Sequence, residues 1–329
     1  YGSSDEALAC GACYLMGNLL YQHTKLARVA DDKGMFEAAL RLYNRVTKSV
    51  TAEFWVETCD KLDALSVRLN GVWCTFVHAR WFVGSAECEG LVSPSSRSWW
   101  RPLLEMAVEN AELRLTSRPT VCFGPAVYSF MVLESGAKNE KQRSFLLGST
   151  ALESIEFACL NDYTFPMLHQ SAAVYAGGAA VELVGRNEGG KTLSSEVVLH
   201  IAKGLNKYFG EGDDFYAKSR VKNILTGLSR VATMAISDSN KKLMLQCDGL
   251  VDNFIRCLLL GADNERRKQD GADVLQEVAA ATLHELSLFA PWTQALKEHS
   301  SVMSSLRELA DVGTKDAKES AAAALFELD

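Results

Sequence analysis

One segment of this 329-residue sequence has the residue types and spacing of a phosphate-binding loop. The run Gly185-Arg-Asn-Glu-Gly-Gly-Lys-Thr192 fits the pattern Gly-x-x-x-x-Gly-Lys-Thr. In such loops backbone N–H groups hold the phosphates, the lysine reaches the β- and γ-phosphates and the threonine binds Mg²⁺. Gly190, Lys191 and Thr192 are therefore candidate nucleotide-binding residues.

The same run also fits a polar turn between two helices. A nucleotide site needs a strand before the loop, for which only residues 179–184 are available, and an apolar run ending in a metal-binding aspartate, which we do not find. The alternative predicts a helix over Ser171–Val184, a glycine-rich turn and a second helix over Ser194–Leu205. We favour the turn and keep the nucleotide site as the lesser alternative.

Other residue types that often perform chemistry do not form a recognisable set. Cys10 and Cys13 have the spacing of a redox pair, but the alanines around them predict one face of a buried helix. No second cysteine pair completes a zinc site, and no two histidines have the spacing of a metal-binding pair. No Gly-x-Ser-x-Gly nucleophile motif occurs. We expect no catalytic residue, cofactor or metal, and therefore no enzyme.

Composition and charge narrow the class of protein. Apolar residues make up 48% and charged residues 23%, and only 6 prolines interrupt long stretches of helix-forming residues. A net charge of −7 opposes nucleic-acid binding, and Arg266-Arg267-Lys268 is neutralised by acidic neighbours. No apolar run approaches the roughly 20 residues that span a bilayer. We predict an all-α protein.

The cysteines bear on the compartment. Their number, 9, is odd, and most lie among apolar residues in helical stretches, which favours reduced thiols in the cytoplasm or another reducing compartment. The sequence begins at Tyr1, which leaves open a targeting segment or further domains outside it.

An internal repeat organises the sequence. The segment 278–286 recurs as 320–328, an offset of 42 residues with six of nine positions identical. Offsets of roughly 40 to 47 residues are typical of armadillo and HEAT repeats. A second recurring pattern is an apolar helix followed by a short helix and a small residue, which opens the next apolar helix. That small residue is Gly34, Gly148 or Gly249, and it lets the chain turn sharply.

On these residues the sequence resembles the armadillo family, with Gly17-Asn18-Leu19 followed by Lys33-Gly34-Met35 as its best match. The resemblance implies a right-handed α-solenoid, here a single repeat domain over residues 1–329 of about seven units. Weaker units are centred near residues 73–106 and 172–205. In that family an asparagine of the third helix clamps an extended peptide. Asn18 holds this position here, whereas the matching positions hold Val132, Thr233, Glu285 and Glu327.

The function expected from this pattern is a non-catalytic scaffold or adaptor for a protein partner of unknown identity. Because a stack of repeats presents a long continuous surface, binding is expected along the groove at Asn18, Thr233 and Glu285. A second candidate surface is Trp99-Trp100-Arg101, which lies in an aromatic-rich stretch, since Trp and Arg are enriched at binding hot spots. Core packing of those aromatics is the alternative. The rival function is a structural subunit built permanently into a large assembly.

Overall fold

The structure is a computed structural model. It describes residues 4–20, 24–47, 100–116, 123–160, 169–186, 190–209, 221–261 and 263–329. Within these ranges the chain forms α-helices, short 3-10 helices and turns, without a strand, so the prediction of an all-α protein is confirmed there. In the same ranges no helix is both long and apolar enough to cross a bilayer.

The chain divides into two compact units, Tyr1–Leu183 and Val184–Asp329, which we call the first and second unit. Up to residue 184 the described helices are α1 (Ser4–Leu20), α2 (Thr24–Asp32), α3 (Met35–Thr47), α4 (Trp100–Thr116), α5 (Phe123–Ala137), α6 (Glu140–Leu147), α7 (Ala151–Leu160) and α8 (His169–Val184). Those that follow are α9 (Ser195–Gly204), α10 (Val221–Met234), α11 (Asp238–Met244), α12 (Leu250–Cys257), α13 (Ala272–Ser287), α14 (Ala290–Glu298), α15 (Val302–Val312) and α16 (Lys315–Leu328).

The first unit contains two described clusters of helices. One consists of α1, α2 and α3, which contact each other. In the other, α4 packs on α5 and α7. The α4–α5 approach is close, because a Cβ at Gly136 would lie 2.6 Å from Leu104 Cδ2.

The second unit repeats one arrangement of helices. The order short, short, long occurs as α11-α12-α13 and again as α14-α15-α16. The long helix α13 packs against both α10 and α16, and α16 also packs against α15. The recurring segments 278–286 and 320–328 are the C-terminal parts of α13 and α16, so the sequence repeat corresponds to two long helices in direct contact.

Apolar spacing explains why these long helices pack. In α10 the buried residues recur every three or four positions, which places them on one face of a helix. They are Val221, Ile224, Leu228, Val231 and Met234. In α13 buried residues cover a wider arc, as expected for a helix with neighbours on two sides. The face that remains is open to solvent.

Two of the three predicted glycine turns require glycine. Gly34 and Gly249 have φ of +69° and +73°, in the left-handed region where a side chain is strained. Gly148 instead has φ of −80°, which other residues adopt readily. The prediction that a small residue is needed at this third turn therefore lacks a backbone reason.

Side-chain hydrogen bonds connect positions about one repeat apart in the second unit. Asn206 Nδ2 donates to the carbonyl of Asp248, 42 residues later, at 3.3 Å. An Arg256 guanidinium nitrogen donates to the carbonyl of Phe209, 47 residues earlier, at 3.0 Å. These polar contacts fix the register between residues 206–209 and residues 248–256, which apolar packing alone leaves less specific.

Candidate functional site

The candidate site is the solvent-facing side of the long helices α10, α13 and α16, which we call the third-helix stripe. Its residues recur at spacings of three and four, opposite the buried face. They are Thr226, Ser229, Thr233 and Ile236 from α10 and its end; Val274, Glu277, Ala281, Glu285 and Leu288 from α13 and its end; and Asp316, Glu319, Ala323 and Glu327 from α16. The stripe therefore runs across three helices that pack side by side.

The stripe has short side chains at its middle. Ser229 and Ala281 are exposed, and Ala323 is partly exposed at the position that matches Ala281. Short side chains at these positions would let another chain approach the helix backbones closely.

Apolar side chains mark one end of the stripe. Ile236 and Leu288 each follow the last residue of a long helix by one position or two, and they are 48% and 52% exposed. Each follows a buried small residue, Ala235 or Ser287. The two exposed aliphatic residues thus occupy matching places at the ends of α10 and α13.

Glu285 forms an ion pair at this end of the stripe. Its Oε1 accepts a hydrogen bond from Lys241 Nζ at 2.9 Å, and Asp238 Oδ1 lies 3.3 Å from the same nitrogen. Lys241 is only 3% exposed. Because an ammonium group buried without a counter-ion is costly, the two carboxylates hold Lys241 in place and join α11 to the end of α13.

The backbone near Lys241 is tied to three further positions. Trp292 Nε1 donates to the Lys241 carbonyl at 2.7 Å. Asn240 Nδ2 donates to the carbonyls of Gly185, at 2.8 Å, and Met234, at 3.3 Å. Asn240 therefore satisfies the last carbonyl of α10, which has no partner within its own helix. These bonds make α11 a rigid support for the turns that carry Ile236 and Leu288.

Thr233 contributes a hydroxyl that is already used within its own helix. Its Oγ1 donates to the Ser229 carbonyl at 3.0 Å. The predicted groove residues Thr233 and Glu285 therefore lie on the same stripe, as does Glu327. Neither Thr233 nor Glu285 carries an asparagine-like amide, so the stripe offers no ladder of amides.

The groove position predicted at Asn18 lies in the first unit. Asn18 is exposed on α1, and its Nδ2 donates to the Tyr14 carbonyl of the same helix at 2.9 Å. The matching position Val132 is fully buried in α5. The side chain of Val132 belongs to the core of the first unit, so this position of α5 does not face solvent as Asn18 does.

The predicted aromatic surface is described only in part. Trp99 lies outside the described residues, and Trp100 begins α4 with a side chain that is also outside them. Arg101 is half exposed; its Nε lies 3.0 Å from Glu105 Oε1, and its guanidinium carbon is 3.3 Å from the centre of the Phe145 ring. Arg101 therefore stacks on a residue of its own unit.

The phosphate-loop candidates lie in a turn between helices. Residues 169–184 are helical, as the turn interpretation predicts, and α9 begins at Ser195. Gly190 has φ of +77°, and Gly190, Lys191 and Thr192 are all exposed in the segment before that helix. A phosphate-binding loop follows a strand, and the helix here is therefore the wrong context.

Cysteine chemistry is disfavoured where thiols are buried. Cys10 is buried and Cys13 partly exposed on α1, one helical turn apart. Burial raises the pKa of the Cys247 and Cys257 thiols above the ordinary value, which disfavours the reactive thiolate. Among the described residues no three His, Cys, Asp or Glu side chains cluster as metal ligands would.

Comparison with known proteins gives no family and no close relative. No family model matches the sequence, and no curated protein matches it. One solved structure, the crystal structure of an engineered protein, aligns with 99% of this chain and 96% of that chain at 14% identity, with a TM-score of 0.38.

Sequence reasoning missed Ile236, Leu288 and Lys241. The offset between the ends of α10 and α13 is larger than 42 residues because of the insert before α13, so Ile236 and Leu288 do not align by the simple repeat. The available signal was the shared pattern of a long helix, a small residue and then an aliphatic residue. Nothing in the sequence pairs Lys241 with Glu285, because their proximity depends on how the helices stack.

Proposed function

We propose that this chain is a non-catalytic protein-binding scaffold, and that its second unit is a stack of armadillo-type repeats binding a protein partner on the third-helix stripe. The observation that carries the proposal is the side-by-side packing of α10, α13 and α16, each with a solvent-facing row of residues. Three such rows form a continuous surface wider than one helix, as repeat proteins use for binding.

The composition of the stripe supports a protein partner. Aliphatic residues at one end, short side chains in the middle and carboxylates along α13 and α16 combine apolar area with polar groups at the edge. This combination is common at protein–protein interfaces. The rigid support from the Lys241 network lowers the entropy cost of binding, because the turns at Ile236 and Leu288 are already ordered.

Affinity capture followed by mass spectrometry tests the proposal. The wild-type chain is compared with Ala281→Arg, which places a long side chain in the middle of the stripe at an exposed position. We expect specific proteins to be captured by the wild type and lost with Ala281→Arg. Equal capture by both chains would move the binding surface elsewhere.

A nucleotide titration separates the scaffold from the nucleotide-binding alternative. Labelled ATP or GTP with Mg²⁺ is titrated into the chain, and we expect no saturable binding because the 185–192 segment follows a helix. A micromolar site that Lys191→Ala abolishes would overturn the non-catalytic proposal.

A further inference from the structure

Helix α1 carries apolar residues on two opposite faces. One face, with Cys10, Gly17 and Leu20, is buried. The other, which we call the α1 stripe, consists of Leu8, Ala12, Leu15 and Leu19. Its leucines are 75%, 65% and 58% exposed in chain order. A helix that is apolar all round ordinarily has packing partners on both sides, and the described residues cover only one side of α1.

The spacing of the α1 stripe fits a helix as its partner. Leu8, Ala12, Leu15 and Leu19 are separated by four, three and four residues. This is the alternation of apolar positions at the seam between two paired helices, where each side chain inserts between residues of the facing helix. Gly11 and Ala12 keep the middle of this side narrow, and no atom lies within 4 Å of a Cβ placed at Gly11.

The spacing of four, three and four residues is the same when the α1 stripe is followed from either end of the helix. If a second α1 runs antiparallel with its centre against the first, Leu8 faces Leu19 of the other copy. Ala12 then faces Leu15 of the other copy, so a small residue meets a large one at each inner position. The α1 stripe is therefore complementary to itself in one arrangement, related by a two-fold axis.

Charge is compatible with that arrangement. No charged residue occurs from Ala7 to Leu20, so two copies meet without like-charge repulsion or a buried ion. The amide of Asn18 donates to the Tyr14 carbonyl of its own helix and needs no new partner at the interface. Antiparallel helices also place opposite ends of their dipoles together.

The area available indicates a weak dimer. The exposed parts of the three leucines amount to roughly 350 Å² per copy, within the size range of the largest apolar patch on a typical monomer. A standard interface buries about 800 Å² per partner, so this contact belongs to the small class.

We propose that the chain forms a homodimer in which the α1 stripes of two copies pack antiparallel. This contact uses residues of the first unit, whereas the third-helix stripe lies in the second unit. The dimer joins two binding surfaces, and a partner with two copies of its recognition segment would gain avidity from it.

Sedimentation equilibrium of the full chain, over a concentration series up to about 1 mM, tests the dimer in the range expected for a small interface. We expect a monomer–dimer equilibrium. Leu15→Glu should raise the dissociation constant of the dimer at least about tenfold, because the dimer would bury a carboxylate. Val312→Glu is the matched control, since Val312 is an aliphatic residue of similar exposure, 61%, that lies in the second unit and outside the third-helix stripe. Leu8→Glu is a second variant at the most exposed leucine, and circular dichroism checks that each variant is folded.

A disulfide test distinguishes the antiparallel pairing from other contacts. Ala12→Cys and Leu15→Cys chains are mixed and oxidised, and we expect the mixed disulfide between them to exceed either like-with-like disulfide and the wild-type background. A chain that stays monomeric over the whole series, a dimer that Leu15→Glu and Leu8→Glu leave unchanged, or predominant like-with-like crosslinks would overturn the proposal.

Discussion

Lys241 and Glu285 form an ion pair between the first and the last helix of the α11-α12-α13 arrangement, with Lys241 Nζ 2.9 Å from Glu285 Oε1 and the lysine almost wholly buried. The residues are 44 positions apart in the chain. The pair therefore holds α11 against the end of α13, beside the turn that carries Leu288.

Replacing the Glu285 carboxylate should lower the stability of the chain, because the buried Lys241 ammonium group loses a counter-ion. We expect Glu285→Gln to lower the free energy of unfolding by about 1 kcal/mol, a value reduced by the partial exposure of Glu285 and by the remaining Asp238 carboxylate. In a Lys241→Met background the same substitution should cost almost nothing. Urea denaturation of the four chains measures the coupling, and equal losses in both backgrounds would mean that the pair contributes nothing. Glu327→Gln, at the matching position of α16, is the control.

Trp292 should be the most sensitive large side chain of the second unit. It is 1% exposed, contacts the Phe254 ring at a centroid distance of 6.4 Å and donates to the Lys241 carbonyl. Trp292→Phe removes the indole donor, leaves the Lys241 carbonyl with the Leu245 N–H at 3.2 Å as its remaining donor and opens a small cavity, so we expect a loss of about 2 kcal/mol. Thermal unfolding checks this value. A change below about 0.5 kcal/mol, as for ordinary surface positions, would contradict the assigned bond.

A larger residue at Gly227 should destabilise the chain, although replacing a glycine within a helix ordinarily stabilises it. A Cβ there would meet Tyr208 Cε2 at 2.8 Å and Leu205 Cδ1 at 3.5 Å, where α10 contacts the 3-10 helix Leu205–Tyr208. We expect Gly227→Ala to destabilise the chain by about 1 to 2 kcal/mol, because overpacking outweighs the gain in helix propensity.

Gly204 is the matched control for that substitution. It is also helical, but no atom lies within 4 Å of a Cβ placed on it. Gly204→Ala should therefore stabilise the chain by up to about 1 kcal/mol. Chemical denaturation of both variants gives the comparison, and effects of the same sign would show that the approach at Gly227 is not tight.

Cys257 should make the folded chain less stable at alkaline pH. Burial raises the pKa of its thiol in the folded chain, whereas the unfolded thiol ionises near its ordinary value of about 8.5. The neutral thiol is thus favoured by folding, so stability is complete below that ordinary pKa and falls as pH rises above it. Between pH 8 and pH 9.5 we expect a loss of about 1 kcal/mol that Cys257→Ala removes. An unchanged slope in Cys257→Ala would contradict this assignment.

Helix type and repeat length were accessible from the sequence because they depend on local spacing. The buried positions of α10, the helices around the 185–194 turn and the left-handed turns at Gly34 and Gly249 all follow from residues close in the chain. The match between Val132 and Asn18 rests on a loose alignment between different helices, and the two side chains differ in exposure. Burial of Val132 depends on which helices pack around α5.

The candidate site was predictable only in outline. Thr233 and Glu285 were expected on a shared surface, and both lie on the third-helix stripe. Their bonding was not predictable, because Lys241 reaches Glu285 only through the stacking of α11 beside α13. The match between Ile236 and Leu288 could not be found from the simple sequence repeat, because the insert before α13 makes their offset longer than 42 residues. Their exposure depends on which side chains surround them in the folded chain.

The most direct test of the binding surface is the dissociation constant of a captured partner, measured by titration calorimetry with three purified chains. The wild type is compared with Ala281→Arg on the third-helix stripe. The control is Ala38→Arg, the same substitution at an exposed alanine of α3 in the first unit. We expect Ala281→Arg to weaken the affinity at least about tenfold, because the arginine side chain would block the centre of the binding surface. We expect Ala38→Arg to leave the affinity unchanged. Unchanged affinity with Ala281→Arg would contradict the proposed binding surface.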